Sequence, residues 1–264
     1  MKRIVITGGG GYLGGLLQQH FSDRGEYHLT LISRSPRKDT DILCADISAA
    51  DQKWTDTLAN AYAVIHLAAR RGSGTTWSDI QQTNIEGTLN VFEAARRNGA
   101  RRVIFASTTW VLGGYLGTDT PLSPDLPPMP VGDYGISKMV GESIARHFAK
   151  QHGQSVICLR LGRCHAGEDS PDLLSNQKQQ YKWLSKRDFC QGIEKAVETE
   201  DIEVSLLHLT SEIAGSPWDI SATRQELGYS PQDYDSPRAP SFRSKVRRRL
   251  GSLKSKTVSY FCSN

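Results

Sequence analysis

No hydrophobic run in this sequence is long enough to span a membrane. Of the 264 residues 38% are hydrophobic, but none of the apolar runs approaches the roughly 18 consecutive residues of a membrane helix. Residues 1–3 lead directly into the short apolar run 4–6, where a signal peptide would have a longer apolar core. The sequence therefore predicts a cytoplasmic protein that binds no membrane.

Cysteine is scarce and scattered. The five cysteines are odd in number, and they form neither a CxxC pair nor a combination with histidine at metal-ligand spacing. We therefore predict free thiols and no metal site. The cysteines are Cys44, Cys158, Cys164, Cys190 and Cys262.

Acidic residues are missing from the last 24 positions. Residues 241–264 hold seven Lys or Arg and no acid. The whole chain has a net charge of +4, so residues 1–240 have a net charge of −3. A basic tail on a mildly acidic body is not typical of a nucleic-acid-binding domain, and we predict no nucleic-acid partner. The tail is interpreted as a solvated surface, with contact to an acidic partner or a phosphate as the alternative.

Glycine, by contrast, is concentrated at residues 8–11, after the apolar run 4–6 and before a helical pattern. Gly8 permits a tight turn, Gly11 lets the backbone approach a pyrophosphate, and Gly14 allows close packing of helix on strand. The N-terminus of the helix then faces the anion. This strand, turn and helix predict a dinucleotide site rather than an ordinary turn. The cofactor-binding residues predicted here are Gly8, Gly11, Tyr12, Leu13 and Gly14.

The end of the second predicted strand, residues 27–32, has no acid. An acidic residue about 20 positions beyond the glycines would bind the ribose 2′-hydroxyl of NAD. Ser33 and Arg34 stand there instead, with Arg37 and Lys38 close behind. A hydroxyl and a guanidinium suit the 2′-phosphate of NADP, which we predict as the cofactor, with NAD as the alternative. The cations could also belong to an exposed loop.

Strands alternate with helices along the first two thirds of the chain. Further strands are predicted at 42–44, 64–69, 101–106 and 156–161, and helices at 79–98 and 134–152. This order predicts an α/β fold, a doubly wound parallel Rossmann sheet with a small C-terminal substrate-binding lobe. The predicted divisions are an NAD(P)-binding Rossmann domain at 1–165, the lobe at 166–240 and a basic C-terminal tail at 241–264. Small residues at the exit of the fourth strand, Leu67, Ala68 and Ala69, would let a flat cofactor lie close to the backbone.

A tyrosine and a lysine four positions apart begin the helix after a proline-rich loop. Tyr134 and Lys138 share one helix face, so the ammonium can stabilise the phenolate. A tyrosine can act as an acid or base near neutral pH only if its phenolate is stabilised, because a phenol titrates near pH 10. The fifth strand ends in hydroxyls at 107–109, one of which could bond to the substrate oxygen or merely cap a turn.

Together these motifs resemble the extended short-chain dehydrogenase/reductase family, which includes nucleotide-sugar epimerases, dehydratases and reductases. The resemblance covers residues 1 to about 235 and includes residues 66–69, Asn84 and a C-terminal segment at 218–231. It implies that Tyr134 is the general acid/base, that Lys138 is its electrostatic partner and binds the nicotinamide ribose, and that Thr108 is the catalytic hydroxyl. Asp46, with Ile47, would lie near the adenine, and Asn84 would belong to the cofactor site.

Within that family the chain most resembles the uronate dehydrogenases, which oxidise hexuronates at C1. Residues 105–107, 134–142, 160–164 and 183–189 carry this likeness. The departures fall where the sugar should bind and change the hydrogen-bond donors there. Thr109 and Trp110 replace an Asn-His pair, and the cations Arg71, Arg163 and Lys178 replace two serines and an arginine. These residues, with Thr108, are the predicted substrate site, and the cations suit a carboxylate or a phosphate.

We therefore predict an NADP-dependent oxidoreductase acting on a sugar or sugar-derived alcohol or carbonyl, anionic and uronate-like. The alternatives are a nucleotide-sugar 4-epimerase that keeps its NAD bound and a catalytically silent NADP-sensing regulatory protein. The partner is a small-molecule substrate, which could be a sugar, a uronate or a sugar nucleotide. The family resemblance also implies a homodimer formed through the helices at 79–98 and 134–152.

Overall fold

Seven parallel strands form the central sheet of the molecule. The computed structural model describes residues 1–35, 42–72, 74–118, 120–167, 169 and 177–235, so that Arg37, Lys38 and the basic tail lie outside the described residues. The strand order, β3-β2-β1-β4-β5-β6-β7, confirms the predicted doubly wound parallel sheet. The strands are β1 (Lys2–Thr7), β2 (Tyr27–Ser33), β3 (Ile42–Cys44), β4 (Ala63–His66), β5 (Arg102–Thr108), β6 (Ser155–Leu161) and β7 (Val204–Leu209).

Helices cover both faces of this sheet. They are α1 (Tyr12–Ser22), α2 (Gln52–Thr55), α3 (Trp77–Ile80), α4 (Gly87–Arg97), α5 (Gly132–His152), α6 (Gln177–Gln180), α7 (Lys186–Glu198) and α8 (Ser221–Leu227). Because side chains alternate along a strand, Ile4 and Ile6 of β1 pack with Phe21 and Phe189 of α1 and α7. Val5 points to the opposite face and packs with Phe92 of α4. None of the described helices is long and apolar enough to cross a membrane.

The helix predicted at 79–98 contains a segment that the sequence pattern did not predict. Thr76 begins it with a capping box to Asp79, and α3 then widens into a π-helix at Gln81–Glu86 before α4. A π-segment places one more residue in a turn than an α-helix does and is often found at functional sites. Asn84 lies within this segment and is fully buried.

The C-terminal part of the chain completes the sheet and adds a small structure beside it. Strand β7 and helix α7 extend the main sheet and its cover. Two short parallel strands, β8 (Glu212–Ile213) and β9 (Tyr234–Asp235), form a separate sheet. The boundary proposed near residue 165 stays a prediction.

A buried ion pair ties the strand ends to helix α5. Glu142 of α5 accepts two hydrogen bonds from Arg160 of β6, each 2.8 Å long, and a third of 2.5 Å from Ser107 of β5. Arg160 also donates to the carbonyl of Pro124 in the proline-rich loop (3.0 Å). The side chains of Arg160 and Glu142 are 0% and 3% exposed. Breaking the pair would therefore leave a charge in the core with no partner.

We expect Glu142→Gln to lower the free energy of unfolding by about 3–5 kcal/mol, because it leaves the Arg160 guanidinium buried without its counter-ion. Urea-induced unfolding measures this. Glu93→Gln is the matched control, since Glu93 forms partly exposed pairs with Arg96 and Arg97 and should change stability by no more than about 1 kcal/mol. Equal losses in the two variants would contradict a special role for the buried pair.

Candidate active site

The glycine turn after β1 is packed too closely for side chains. Gly8 has φ +76°, and a Cβ there would lie 2.8 Å from the backbone nitrogen of Ala68. A Cβ on Gly14 would lie 2.6 Å from the carbonyl oxygens of Gly8 and Gly9. Gly11 is the N-cap of α1, and no side chain caps that helix. The turn and the helix N-terminus thus form a backbone cradle that suits a pyrophosphate.

A cleft opens beside this cradle and brings together eight of the predicted cofactor-binding residues. They are Gly8, Gly11, Ser33, Arg34, Ile47, Leu67, Ala68 and Ala69. Sequence reasoning missed Ile32, Ser35, Ala45 and Thr83, which also line the cleft. Thr83 reaches it from the π-segment, which no sequence pattern signalled, whereas the other three are chain neighbours of predicted residues. A cleft lined by small side chains and a glycine cradle fits a dinucleotide.

Two predicted residues, Tyr12 and Leu13, open helix α1 beside the cradle. Asp46 lies between two residues that line the cleft, Ala45 and Ile47, and its carboxylate is 3.7 Å from the guanidinium of Arg34. It also accepts a hydrogen bond from the backbone N–H of Ser48 (2.9 Å). The structure thus places one acid near Arg34, although that acid follows β3 rather than β2.

The three predicted catalytic residues belong to β5 and to helix α5, which packs on that strand. Thr108 is the last residue of that strand, and its hydroxyl accepts a hydrogen bond from the backbone N–H of Trp110 (3.3 Å). Tyr134 lies in the first turn of α5 and Lys138 one turn later. The Lys138 ammonium is 4.7 Å from the centre of the Phe105 ring and 5.8 Å from that of the Tyr134 ring. The helical spacing therefore places phenol and ammonium on one face.

Burial governs the electrostatics of this pair. Burial, and after it the positive charge of Arg71, lowers the pKa of Lys138 to about 7, against the opposing effects of Cys158 and Glu142. Burial also raises the pKa of Tyr134, while Arg71 opposes the rise. The phenol by itself is therefore neutral at physiological pH, and only added positive charge nearby would make it a base.

Asn84 connects the exit of β4 to helix α5. Its side-chain oxygen accepts from the N–H of Arg70 (2.7 Å), and its amide donates to the carbonyl of Arg70 and to the hydroxyl of Ser137 (3.0 Å each). Ser137 in turn donates to the carbonyl of Tyr134 (2.9 Å). The side chain that the resemblance assigns to the cofactor site thus joins helix α5 to the loop after β4.

Most of the predicted substrate residues follow the carboxyl ends of β4, β5 and β6, and Thr109 and Trp110 begin a 3-10 helix there. Arg71 follows β4 and is exposed, Thr109 is buried, and Arg163 follows β6 and is exposed. Lys178 is part of α6, but its side chain lies outside the described residues. Trp110 contacts a residue that sequence reasoning missed, Lys182, whose ammonium is 3.6 Å from the ring centre. No spacing in the sequence could have shown that contact.

We expect Lys138→Met to stabilise the protein without cofactor, most strongly at pH 7 and below. The unfolded chain keeps the lysine proton up to about pH 10.5, whereas the folded chain loses it at about pH 7. Between these values the unfolded state binds more protons, so the stability of the original protein rises by up to about 1.4 kcal/mol per pH unit. The advantage of the variant should therefore shrink as pH rises from 7 to 9.

Denaturant titrations at pH 6, 7, 8 and 9 measure this difference. Lys150→Met serves as the control, because Lys150 lies on the same helix and is exposed. An advantage of Lys138→Met that stayed constant with pH would show that a neutral packing effect, and not the buried charge, is responsible.

Several known proteins are similar to this chain in sequence and in fold. A model of the NAD dependent epimerase/dehydratase family matches residues 4–164. The L-arabinose 1-dehydrogenase (NAD(P)(+)) of Haloferax volcanii is 28% identical over 250 residues, which cover 88% of this chain and 97% of that protein. The uronate dehydrogenase of Agrobacterium fabrum is 30% identical over 235 residues, covering 88% of this chain and 85% of that protein.

The fold agrees with these sequence matches. A crystal structure of uronate dehydrogenase from Agrobacterium tumefaciens has a TM-score of 0.77 to this structure at 28% identity, and the match covers 95% of this chain and 88% of that chain. The family model spans the cradle, the cleft and the three predicted catalytic residues. The chain belongs to the NAD dependent epimerase/dehydratase family and is, as the sequence predicts, an NAD(P)-dependent enzyme of the short-chain dehydrogenase/reductase type.

Proposed function

We propose that this protein is a sugar dehydrogenase that transfers hydride between a nicotinamide cofactor and a sugar or sugar-derived alcohol or carbonyl. The observation that carries the proposal is that Tyr134 and Lys138 share one face of α5, with the Lys138 ammonium 4.7 Å from the Phe105 ring of β5, the strand that ends at Thr108. The names of the two sequence relatives, an L-arabinose 1-dehydrogenase and a uronate dehydrogenase, support it. The chain matches 97% and 85% of their lengths, so it has room for the same kind of site.

The proposed chemistry follows from the residues of the site. Oxidation removes a proton from the sugar hydroxyl and a hydride from its carbon, leaving a carbonyl. When bound, the oxidised nicotinamide accepts the hydride and adds positive charge beside the phenol. Tyr134 takes the proton on its phenolate oxygen, and Lys138 stabilises that anion. Thr108 donates a hydrogen bond to the substrate oxygen and holds it beside Tyr134.

The preference for NADP over NAD remains part of the proposal. Ser33 and Arg34 line the cleft at the end of β2, and both can donate hydrogen bonds to a 2′-phosphate. Asp46 lies near enough to Arg34 to act as its counter-ion when no phosphate is bound. Such an arrangement supports binding of NADP with NAD as a weaker alternative.

We also propose a homodimer formed through α4 and α5. Leu89 and Ile136, one on each helix, are 47% and 36% exposed, and Trp77 at the start of α3 is 45% exposed. A second copy of the chain would cover these apolar side chains.

Arg34→Ala should raise the KM for NADP by about tenfold, since it removes one charge-assisted contact to the 2′-phosphate. The KM for NAD should stay within about twofold, because NAD has no phosphate at that position. Steady-state kinetics with both cofactors measures the two values. Arg97→Ala, which removes an exposed arginine of α4, should change neither. Equal effects on NADP and NAD would refute the assignment of Arg34.

Tyr134→Phe should lower kcat for sugar oxidation by about 10²- to 10⁴-fold, because the general base is lost while the ring and its packing are kept. Absorbance of the reduced nicotinamide measures turnover with a panel of aldoses, uronates, sugar phosphates and nucleotide sugars. Tyr234→Phe is the control, since Tyr234 is 65% exposed in β9.

The same panel separates the competing functions. Net reduction of the cofactor supports the dehydrogenase. Conversion of a nucleotide sugar to its epimer without net change of the cofactor would support the 4-epimerase instead. Full activity in Tyr134→Phe would rule out the proposed mechanism.

A further inference from the structure

Lys182 lies at the carboxyl edge of the sheet, where β6 ends. Its carbonyl accepts a hydrogen bond from the backbone N–H of Arg163 (2.5 Å), and the carbonyl of Arg163 accepts one from Leu184 (3.1 Å). Arg163 follows β6 by two residues. The segment around Lys182 is therefore fixed to the loop in which parallel sheets of this kind bind their ligands.

The ammonium of Lys182 is buried, and no side chain or backbone group of the described residues forms a hydrogen bond with it. The residue is 1% exposed. The face of Trp110 lies against the ammonium, at 3.6 Å from the ring centre. A cation–π contact is worth less than the water that the ammonium has lost.

A second cation, Arg163, further disfavours the charged form of Lys182. Burial, together with the charge of Arg163, lowers the pKa of Lys182 to about 8. The ammonium is therefore still mostly protonated at pH 7, in a place where nothing described compensates its charge. A buried cation in this situation favours the arrival of an anion.

Lys182 is connected to Thr108, one of the proposed catalytic residues, through Trp110. Trp110, the residue that it touches, follows Thr108 by two positions and is bonded to the Thr108 hydroxyl through its backbone N–H. Strands β5 and β6 are neighbours, and Thr108 pairs with Leu161, two residues before Arg163. Lys182 thus contacts the residue that is bonded to the Thr108 hydroxyl, and its backbone is bonded to the segment that follows β6.

We infer that Lys182 binds the anionic group of the substrate, a carboxylate or a phosphate carried by the sugar, and so determines specificity for anionic over neutral sugars. This inference rests on the proposed sugar dehydrogenase function. The anion forms an ion pair with the Lys182 ammonium, and the Trp110 ring moves aside to make room for it. Both kinds of anion present oxygens of the same kind to an ammonium, so the source of the charge is decided by experiment.

The test compares sugars that differ in charge but share a scaffold. Galacturonate is paired with galactose, and glucose 6-phosphate with glucose, and each is oxidised with NADP by the original protein, by Lys182→Met and by Lys182→Arg. We expect the original protein to have a kcat/KM at least about tenfold higher for the anionic member of one pair. Lys182→Met should raise the KM for that sugar by about tenfold or more, with kcat within about threefold and the KM of the neutral sugar unchanged.

Two further variants serve as controls. Lys182→Arg keeps the charge and should keep much of the preference for the anionic sugar. Lys195→Met removes a lysine that is exposed on α7, and its kinetics should match those of the original protein. Thermal unfolding of each variant checks that it is folded, and Lys182→Met should be at least as stable as the original protein without substrate, because a buried charge is removed.

The outcomes decide the inference one way or the other. A selective loss for galacturonate identifies a carboxylate, and a selective loss for glucose 6-phosphate identifies a phosphate. The inference is wrong if Lys182→Met raises the KM of anionic and neutral sugars alike or leaves both unchanged. It is also wrong if the original protein oxidises anionic and neutral sugars with equal kcat/KM. In each case the dehydrogenase function stands. If the original protein oxidises none of the sugars in the broader panel, the proposed function itself fails.

Discussion

The buried pair of Glu142 and Arg160 is the interaction on which the geometry of the site depends. It joins α5 to β6, and through Ser107 it reaches the residue before Thr108. Glu142 lies one helical turn beyond Lys138, which is itself one turn beyond Tyr134. Any shift of α5 along the sheet would have to break this pair, so the positions of the phenol and the ammonium relative to the threonine hydroxyl are fixed by a contact outside the reaction centre.

Much of the fold and part of the site could be predicted from the sequence, because their causes are local. Gly8 and Gly14 were recognisable since only residues without a Cβ fit the turn that they form. Tyr134 and Lys138 were placed on one face by the helical repeat alone. The alternation of strands and helices sufficed to predict a parallel sheet, and the order of the seven strands agrees with it.

The remaining features depend on contacts between distant parts of the chain. Asn84 bonds to Ser137, which is 53 residues away, and the ammonium of Lys182 rests on Trp110. Neither partner follows from periodicity or from a motif, because both pairings require the finished packing of loops at the sheet edge. The resemblance pointed to Asn84, but the bonds that its amide makes could only be seen in the folded structure.

The π-segment at Gln81–Glu86 sets a limit on how this chain can change. Each residue of an α-helix turns the following side chains by about 100°. Deleting one residue from the segment would restore regular α-helical hydrogen bonding, but it would rotate α4 against α3 by about that angle. Either Asn84 would leave Arg70 and Ser137, or Phe92 would leave the core beneath the sheet. The widened turn therefore allows one helical segment to bind the loop after β4 and α5 through Asn84 and also to place Phe92 in the core. A change in the length of the turn would break one of these two sets of contacts.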